Sequence, residues 1–320
     1  MNYLVRRLAV IVPMLFGISV ITFAIITLSP GDPITALINP EDMNLRSAEE
    51  IDRLREDLGL NDPLPLRYGI WLRETVTGNL GYSLQNRAPV LRLIWDRVPE
   101  TLALSGTSMA LALIIGSTLG AVSALKQYTV LDYVLTILAF FGLSVPAFFI
   151  AMLGMFVFSV KLQWLPVFGM WTPGQEGELS LDLLRHAVLP VTALAAPQIA
   201  GFMRYARASV LDALGQDHVT TARAKGLKEL TVVRRHVVRN ALLPLVTILG
   251  LQLPNVIGGS FIIESIFSWP GIGMLGYTAI LQRDYPLQLG IALIAAVGVL
   301  FANLLTDLVY GFVDPRIRYE

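Results

Sequence analysis

Long apolar runs separated by shorter polar stretches dominate the sequence of this chain. Six of these runs are long enough to form membrane helices, and they cover residues 8–28, 100–125, 130–159, 183–206, 241–263 and 286–311. An α-helix rises about 1.5 Å per residue, so about 20 apolar residues cross the roughly 30 Å of hydrocarbon in a bilayer. The pattern therefore predicts an all-α, polytopic membrane protein with six transmembrane helices.

The first apolar run follows Arg6-Arg7 and has the position of a secretory signal. It is too long for the apolar core of a signal peptide, which has about 7–15 residues. No cleavage pattern of small residues follows it. We therefore interpret residues 1–28 as a cytoplasmic N-terminal end and a retained first transmembrane helix.

Residues 29–99 form a long hydrophilic stretch that contains eight Arg and eleven Asp or Glu residues. Ser47-Ala48-Glu49-Glu50 is a capping box, which is typical of a helix N-terminus. A second helix is predicted to follow Pro63-Leu64-Pro65 and to run through Trp71 to about Val76, and Gly78–Ser83 is rich in turn residues. The stretch predicts a small extracytoplasmic helical domain, and residues 100–320 hold the five remaining spans.

Several of the predicted spans are interrupted by proline, and polar side chains cluster near the interruptions. Pro146 lies in the third span, Pro190 and Pro197 lie in the fourth, and Pro254 lies in the fifth. Each proline frees backbone groups that need a partner or a water-filled cavity. Polar residues near these prolines are candidates for lining a pathway, with an interhelical hydrogen bond as the alternative role. They are Gln198, Gln252, Asn255 and Ser260.

A basic stretch lies between the fourth and fifth spans. Residues 204–239 carry eight Lys or Arg residues against three acidic ones, an excess that is typical of cytoplasmic loops. Gly215 can stop one helix, Asp217 can cap the next, and Gly226 stands where a helix C-terminus favours positive φ. The stretch therefore predicts a short helix over residues 217–225 at the membrane surface.

Composition excludes several classes of function. Hydrophobic residues make up 54% of the chain, charged residues make up 15%, and the mean hydropathy is +0.63, which excludes an ordinary soluble domain. With no Cys and three widely separated His, the sequence predicts neither a disulfide nor a metal site. Gly271–Gly276 matches a dinucleotide motif and Ser123–Lys126 matches S-x-x-K, but each lacks its companion motifs. Because the sequence has no P-loop pattern, we expect no ATP hydrolysis and no catalytic residue here.

Thr221-Ala222-Arg223-Ala224-Lys225-Gly226 resembles the cytoplasmic loop of ABC importer permeases, in particular those of the peptide/nickel class. The resemblance implies a type I ABC importer permease fold in which residues 207–239 form a coupling loop that docks in a separate ATPase subunit. A basic surface helix without a partner is the alternative interpretation. The residues that the resemblance assigns to coupling are Asp217, Thr220, Thr221, Ala222, Arg223, Lys225 and Gly226, with His236, Arg239, Asn240 and Pro244 as support.

This loop departs from the general importer motif at two positions. The motif has Glu and Ala where this chain has Thr220 and Thr221, so an acidic contact to the ATPase does not carry over. Other segments resemble the same class of permeases. They include Pro30–Pro33, Gly59–Pro63, Gly78–Ser83, Trp269–Gly273 and Asp314–Ile317. The resemblance thus extends over nearly the whole chain.

The resemblance also implies partners, a location and a substrate class. The implied partners are a homologous second permease in a heterodimer, two ATPases that hold ATP and Mg, and an extracytoplasmic peptide-binding protein. The implied location is the cytoplasmic (inner) membrane, with both termini in the cytoplasm and no cofactor or nucleic acid on this chain. Short peptides are the implied substrate, while nickel chelates, glutathione or another small solute stay open. An intramembrane enzyme is the distant alternative, since the spans lack paired catalytic residues.

The charge distribution generates a prediction about topology. With both termini inside, thirteen Lys or Arg residues are cytoplasmic and three lie in short outer loops. The chain has no native Cys, so single Cys substitutions at Lys225 and Gln282 can be labelled without background. A membrane-impermeant maleimide added to intact cells should label position 282 and spare position 225. The reverse pattern would contradict the predicted orientation.

Overall fold

The computed structural model describes residues 3–29, 34, 48–57, 59–175, 181–258 and 260–313. Over these residues the chain is helical, and an isolated bridge between Tyr82 and Pro89 is the only β-type pairing. This confirms the predicted all-α class. The helices are α1 Tyr3–Leu28, α2 Ala48–Asp57, α3 Leu64–Val76, α4 Val90–Trp95, α5 Val98–Leu125, α6 Val130–Ser144, α7 Ala147–Gly154, α8 Leu181–Leu214, α9 Asp217–Ala224, α10 Glu229–Val232, α11 Arg239–Gly258, α12 Phe261–Ile266, α13 Ile272–Leu281 and α14 Tyr285–Val313. Two π-helical segments, Met155–Lys161 and Val233–Val238, continue α7 and α10.

Five helical segments within the described ranges are long and apolar enough to cross a membrane. A sixth crossing exists if α6 and α7 count as one span, because these two helices are bent by 100° at their junction. The bend falls at Val145-Pro146, where sequence analysis placed an interruption. Pro146 cannot donate a backbone hydrogen bond, so the helix that ends at Ser144 cannot continue regularly through it.

Two predictions on helix continuity differ in outcome. The prediction that Pro190 and Pro197 interrupt the fourth span is wrong, because α8 runs unbroken from Leu181 to Leu214 with both prolines inside it. Neighbouring helices and local adjustments satisfy the freed backbone groups in membrane helices, so a proline need not end them. The second helix of the hydrophilic stretch ends at Val76, as predicted, but it begins at Leu64 and so includes two residues that were predicted to precede it. Pro30–Pro33, Ser47 of the capping box and Asp314–Ile317 lie outside the described residues.

The chain divides into two compact units. Among the described residues, the first unit contains those up to Glu100 together with Gly271–Leu300, and the second contains those of Thr101–Pro270 together with Phe301–Val313. Residues 29–99 therefore do not form a unit by themselves, which differs from the predicted boundary of the hydrophilic domain. The first helix and the segment that follows Pro270 belong to the same unit as that stretch.

In the first unit, aromatic rings attach α3 to α1. Tyr68 lies edge-on to Phe16 and Phe23, with ring centroids 6.3 and 5.4 Å away. Its hydroxyl lies 2.8 Å from the Oγ of Ser19, and Trp71 lies 5.5 Å from Phe23. Such ring pairs add to the stabilisation from the apolar area that they bury. The hydrophilic stretch is thus fixed to the first helix by specific contacts.

A buried carboxylate holds the start of α14 in the same unit. Asp284 is fully buried, and its carboxylate accepts hydrogen bonds from the Ser83 hydroxyl and from the backbone N–H of Leu287. The second bond caps α14, and the first ties it to the connector after α3. An apolar cluster in this unit contains Leu80, Val90, Ile94, Ile272, Ala279 and Leu287. These contacts explain why residues 271–300 group with the hydrophilic stretch.

In the second unit, α8 packs against α6, α7 and α11. It also approaches α5 closely at two glycines one helical turn apart. A Cβ added at Gly120 would clash with the carbonyl oxygen of Met203 and would lie 2.7 Å from the Cβ of Ala206. At Gly116 it would lie 2.6 Å from the carbonyl oxygen of Ile199. This G-x-x-x-G spacing allows the two backbones to meet, as small residues do in many membrane helix pairs.

The close approach of α5 to α8 predicts opposite effects at two glycines of one helix. Gly120→Ala should lower the melting temperature of the purified protein, because overpacking of this kind costs about 1–3 kcal/mol. Gly106 has no heavy atom within 4 Å of an added Cβ. Gly106→Ala should therefore leave the melting temperature unchanged or raise it, since Ala favours helix over Gly by about 1 kcal/mol. Equal melting temperatures for the two variants would contradict the packing described here.

Candidate functional site

The short helix predicted in the basic stretch is α9, Asp217–Ala224. It follows α8 after two residues, Gly215 and Gln216, and the N–H of Gly215 reaches the carbonyl oxygens of Leu211 and Asp212 at 3.3 Å. The prediction that Asp217 caps α9 is wrong. The N-cap is Gln216, which makes no side-chain capping bond, and Asp217 is the first helical residue. There its carboxylate still faces the positive end of the helix dipole.

The C-terminal end of α9 is as predicted. Lys225 is the C-cap, and Gly226 has φ +75°, the left-handed conformation that glycine adopts without strain. The N–H of Gly226 donates to the carbonyl oxygen of Arg223 over 2.9 Å. No heavy atom lies within 4 Å of a Cβ added at Gly226. The requirement for glycine at this turn is therefore one of backbone conformation and not of space.

One face of α9 is buried in the protein itself. Val219 is fully buried and Ala222 is 4% exposed. They join a cluster with residues of α5, α8, α10 and α11 that contains Ala124, Val210, Ala213, Val232, Val237 and Ala241. The expectation that Ala222 offers a contact face to a partner is therefore wrong. Its methyl group packs α9 onto this chain's own core.

The opposite face of α9 and the residues after it are exposed. On α9 this face consists of Thr220, Thr221, Arg223 and Ala224, and Lys225 and Gly226 continue it. Leu227 and Leu230 follow, 42% and 70% exposed, although both are apolar. Two exposed leucines this close together among polar residues make the surface a candidate site for binding another protein.

An exposed ion pair fixes the loop beyond α9. The guanidinium of Arg223 donates to both carboxylate oxygens of Glu229, over 2.6 and 3.2 Å. This hydrogen bonding raises the pKa of Arg223, so its charge is constant at every accessible pH. The pair bridges the turn at Gly226 and links the C-terminal end of α9 to the start of α10.

The predicted supporting residues gather at the start of α11. The amide of Asn240 donates to Nε2 of His218 over 2.9 Å and to the carbonyl oxygen of His236 over 3.0 Å. The rings of the two histidines lie 6.4 Å apart. They are far apart in sequence, but folding brings them together without forming a metal site among the described residues. Arg239, the first residue of α11, and Pro244 within it are both exposed.

A buried ion pair that sequence analysis missed lies near the cluster that buries one face of α9. Arg207 of α8 donates from Nε and Nη2 to the two carboxylate oxygens of Asp132, each over 2.9 Å. The Ser123 hydroxyl also donates to Asp132, so this serine is part of a salt-bridge network and not the nucleophile of an S-x-x-K site. The sequence did carry a signal, since Thr129 and Asp132 have the spacing of a helix N-terminus.

The candidate pathway residues lie on three helices of the second unit. Gln252 and Asn255 of α11 are hydrogen-bonded to each other. Gln198 of α8 donates to the carbonyl oxygen of Leu194 over 3.1 Å. Ser260 caps α12 by accepting from the N–H of Ile263. Each of these side chains has a partner within its own helix region, and their role in a pathway stays a prediction.

Sequence analysis also passed over Glu264, which is fully buried next to Ser260. Its carboxylate accepts from the hydroxyl of Thr101 over 3.1 Å, which ties α12 to the first turn of α5. The rejected dinucleotide motif begins with Gly271, which is the N-cap of α13. No strand precedes it among the described residues, although a dinucleotide-binding motif of this kind follows a strand.

Comparisons with known proteins agree with this arrangement of membrane helices and surface loop. Residues 116–319 match the family described as "Binding-protein-dependent transport system inner membrane component", and residues 1–105 match its N-terminal counterpart. A chain of the MetNI methionine ABC transporter, in an inward-facing conformation, has the same fold. The TM-score is 0.54 at 16% identity, and the match covers 70% of this chain and 97% of the other.

Three relatives match over nearly their whole length. A peptide permease protein of Brucella suis biovar 1 is 44% identical over 319 residues, which are 99% of each chain. The oligopeptide transport system permease protein AppB of Bacillus subtilis is 42% identical over 318 residues, 99% of each chain. The glutathione transport system permease protein GsiC of Escherichia coli K12 is 37% identical over 320 residues, 100% of each chain.

The fold and the loop define a multi-pass membrane protein with the architecture of a type I ABC importer permease. This chain belongs to the family of inner membrane components of binding-protein-dependent transport systems. It is therefore a transport permease and not an enzyme. Membership of this family implies that it works with an ATPase and with a binding protein.

The burial of Ala222 generates a prediction about the attachment of α9. Ala222→Asp places a carboxylate in an apolar cluster with no partner, which costs several kcal/mol. We expect α9 to detach from the core. Limited trypsin digestion of the purified protein should then cleave faster after Arg223 and Lys225 than in the wild type. Ala224→Asp is the matched control, because Ala224 lies on the exposed face of the same helix. Equal cleavage rates in the two variants would contradict the packing of α9.

Proposed function

We propose that this chain is the permease subunit of an ATP-driven importer of short peptides. Two relatives that match it over 99% of their length are named as peptide or oligopeptide permeases. A third, at 37% identity, is named as a glutathione permease, and glutathione is itself a small peptide-like solute. Di- and oligopeptides are therefore the first candidate substrates, with glutathione as the second.

The proposed assembly contains more than this chain. Six spans form half of a translocation pathway, and a homologous second permease supplies the other half in a heterodimer. Two ATPase subunits on the cytoplasmic face hold ATP and Mg, and both termini of this chain lie on that face. The excess of basic residues in residues 204–239 supports this orientation. An extracytoplasmic binding protein delivers the substrate.

The helix α9 is buried on one face and exposed on the other, and this arrangement supports a mechanical role in coupling. One face packs in the core of the second unit, and the other presents Thr220, Thr221 and the two exposed leucines that follow. A short helix held in this way transmits a displacement to the body behind it. We propose that the ATPase docks on the exposed face and that Leu227 and Leu230 enter its surface.

The docking proposal is tested with surface variants in the co-expressed complex. Leu230→Asp should reduce both the ATPase that co-purifies with the permease and the uptake of labelled peptide into vesicles. Leu66→Asp is the matched control, because Leu66 is also an exposed leucine, 51% exposed, but lies on α3. Gly226→Val should also reduce uptake, since a non-glycine residue at positive φ costs about 1–2 kcal/mol. Wild-type ATPase binding and uptake in both variants would refute the assignment of this surface.

The uptake assay of this experiment also distinguishes the candidate substrates. Labelled alanine peptides of two to five residues are presented with the binding protein, and unlabelled glutathione or a nickel chelate is added as competitor. Peptide uptake that neither competitor reduces supports the first candidate. Uptake of labelled glutathione without peptide uptake supports the second. This chain alone in vesicles should transport nothing, because it supplies only half of the pathway.

A further inference from the structure

We propose that Ser123, Asp132 and Arg207 form a positioning device that passes the movement of α9 to α5 and α6. The inference rests on the proposed function and goes beyond it, because it names the residues that carry coupling away from the docking surface. These three side chains lie on three helices of the second unit. None of them lies on α9 or on its exposed face.

The carboxylate of Asp132 is saturated with donors. It accepts two hydrogen bonds from Arg207, one from the Ser123 hydroxyl, and one over 3.1 Å from the backbone N–H of Tyr128. Nε of Arg207 also lies 3.2 Å from the oxygen of Ser123. A carboxylate offers about four acceptor positions, so the group has no freedom to rotate without breaking a bond. The side chain of Asp132 is 3% exposed and that of Arg207 is 29% exposed.

The backbone around Asp132 is fixed as well. Tyr128, whose N–H the carboxylate binds, has φ +63°, and Thr129 caps α6 by accepting from the N–H of Asp132. The turn between α5 and α6 is therefore organised around this one side chain. Any force on Arg207 acts on the end of α5 and on the start of α6 together.

The same residues connect directly to the core that holds α9. From Arg207 to the end of α8 at Leu214 the helix is continuous, a distance of about 10 Å at 1.5 Å per residue. Val210 and Ala213 on this last part of α8 pack in the cluster that buries Val219 and Ala222. Ala124, the residue after Ser123, belongs to that cluster too. A displacement of α9 therefore reaches Arg207 through packed side chains and rigid helix.

Packing alone does not define how α8 moves relative to α6. The hydrophobic attraction between two helices has no preferred direction, so it resists sliding and rotation less specifically than a hydrogen-bonded pair does. A bidentate pair between a guanidinium and a carboxylate is planar and directional, and it resists both movements. The backbone contact at Gly116 and Gly120 holds α5 against α8, and the ion pair adds α6 to the same moving body.

The test uses the whole complex with its ATPases and binding protein. The central variant is the double substitution Asp132→Asn with Arg207→Gln, which removes both charges and leaves no buried charge without a partner. Arg204→Gln is the matched control on the same helix. Arg204 is exposed, its guanidinium lies 5.4 Å from the ring of Tyr205, and no described carboxylate pairs with it. The measurements are ATPase co-purification, melting temperature, ATP hydrolysis and import of the alanine peptide that the wild type imports.

We expect the double variant to have the ATPase binding, the melting temperature and the rate of ATP hydrolysis of the wild type. Its import per ATP hydrolysed should fall about tenfold, the size of an ordinary coupling between two sites. Arg207→Lys keeps the charge but loses the bidentate geometry, so its import per ATP should lie between those of the wild type and the double variant. Arg204→Gln should have the import per ATP of the wild type. Import per ATP at the wild-type level in the double variant overturns the proposal. Weaker ATPase binding or a lower melting temperature in that variant also overturns the proposal, because the pair of Asp132 and Arg207 is then only a structural contact.

The design separates failure of this inference from failure of the proposed function. If the wild-type complex neither binds ATPases nor imports a peptide, the proposed function is wrong, and the proposed positioning device is wrong as well. If the wild type does both and the double variant imports as much peptide per ATP as the wild type, only the proposed positioning device is wrong.

Discussion

The attachment of α9 to the second unit depends on the burial of one face of a helix that is too short to form by itself. An isolated helix of fewer than about 12–15 residues is marginal in water, and α9 has 8 residues. Its stability comes from Val219 and Ala222, which pack with residues of four other helices. A helix stabilised only by its contacts keeps a fixed position relative to those contacts. This makes α9 a suitable element for transmitting force between a soluble partner and membrane helices.

A second constraint is the close approach of backbones in the membrane. Between helices in lipid there is no hydrophobic driving force, so association depends on van der Waals contact and hydrogen bonds. Gly116 and Gly120 bring α5 against α8, and the Thr306 hydroxyl donates to the carbonyl oxygen of Gly250 over 2.8 Å between α14 and α11. In both places a glycine lets a neighbouring helix reach the backbone.

The sequence predicts the helices well because the signals are local. The length of each apolar run, the turn at Gly226 and the break at Pro146 follow from residues that are close together in the chain. The continuity of α8 through Pro190 was not predictable from the sequence, because it depends on neighbouring helices that satisfy the freed backbone groups. A proline has opposite consequences in two spans of one chain, and only the surroundings decide between them.

The candidate site was predictable in outline but not in its contacts. The glycine and the basic residues mark the loop, whereas the burial of Ala222 depends on residues of α10 and α11 that come later in the chain. The pairing of Asp132 with Arg207 joins residues 75 positions apart, and no local pattern relates them. The hydrogen bond between Ser83 and Asp284 spans 201 positions. A single sequence is therefore least informative about which distant residue a given polar side chain contacts.

The bend between α6 and α7 has a consequence for the surrounding lipid. α6 has 15 residues and is about 22 Å long, which is short of the roughly 30 Å of hydrocarbon in a bilayer. A crossing built from two such halves at 100° has a smaller height than a straight helix of the same total length. Where a bent span is shorter than the hydrocarbon, the bilayer thins locally or neighbouring protein covers the exposed apolar side chains. We therefore expect the thickness of the bilayer to affect a span that is bent in this way.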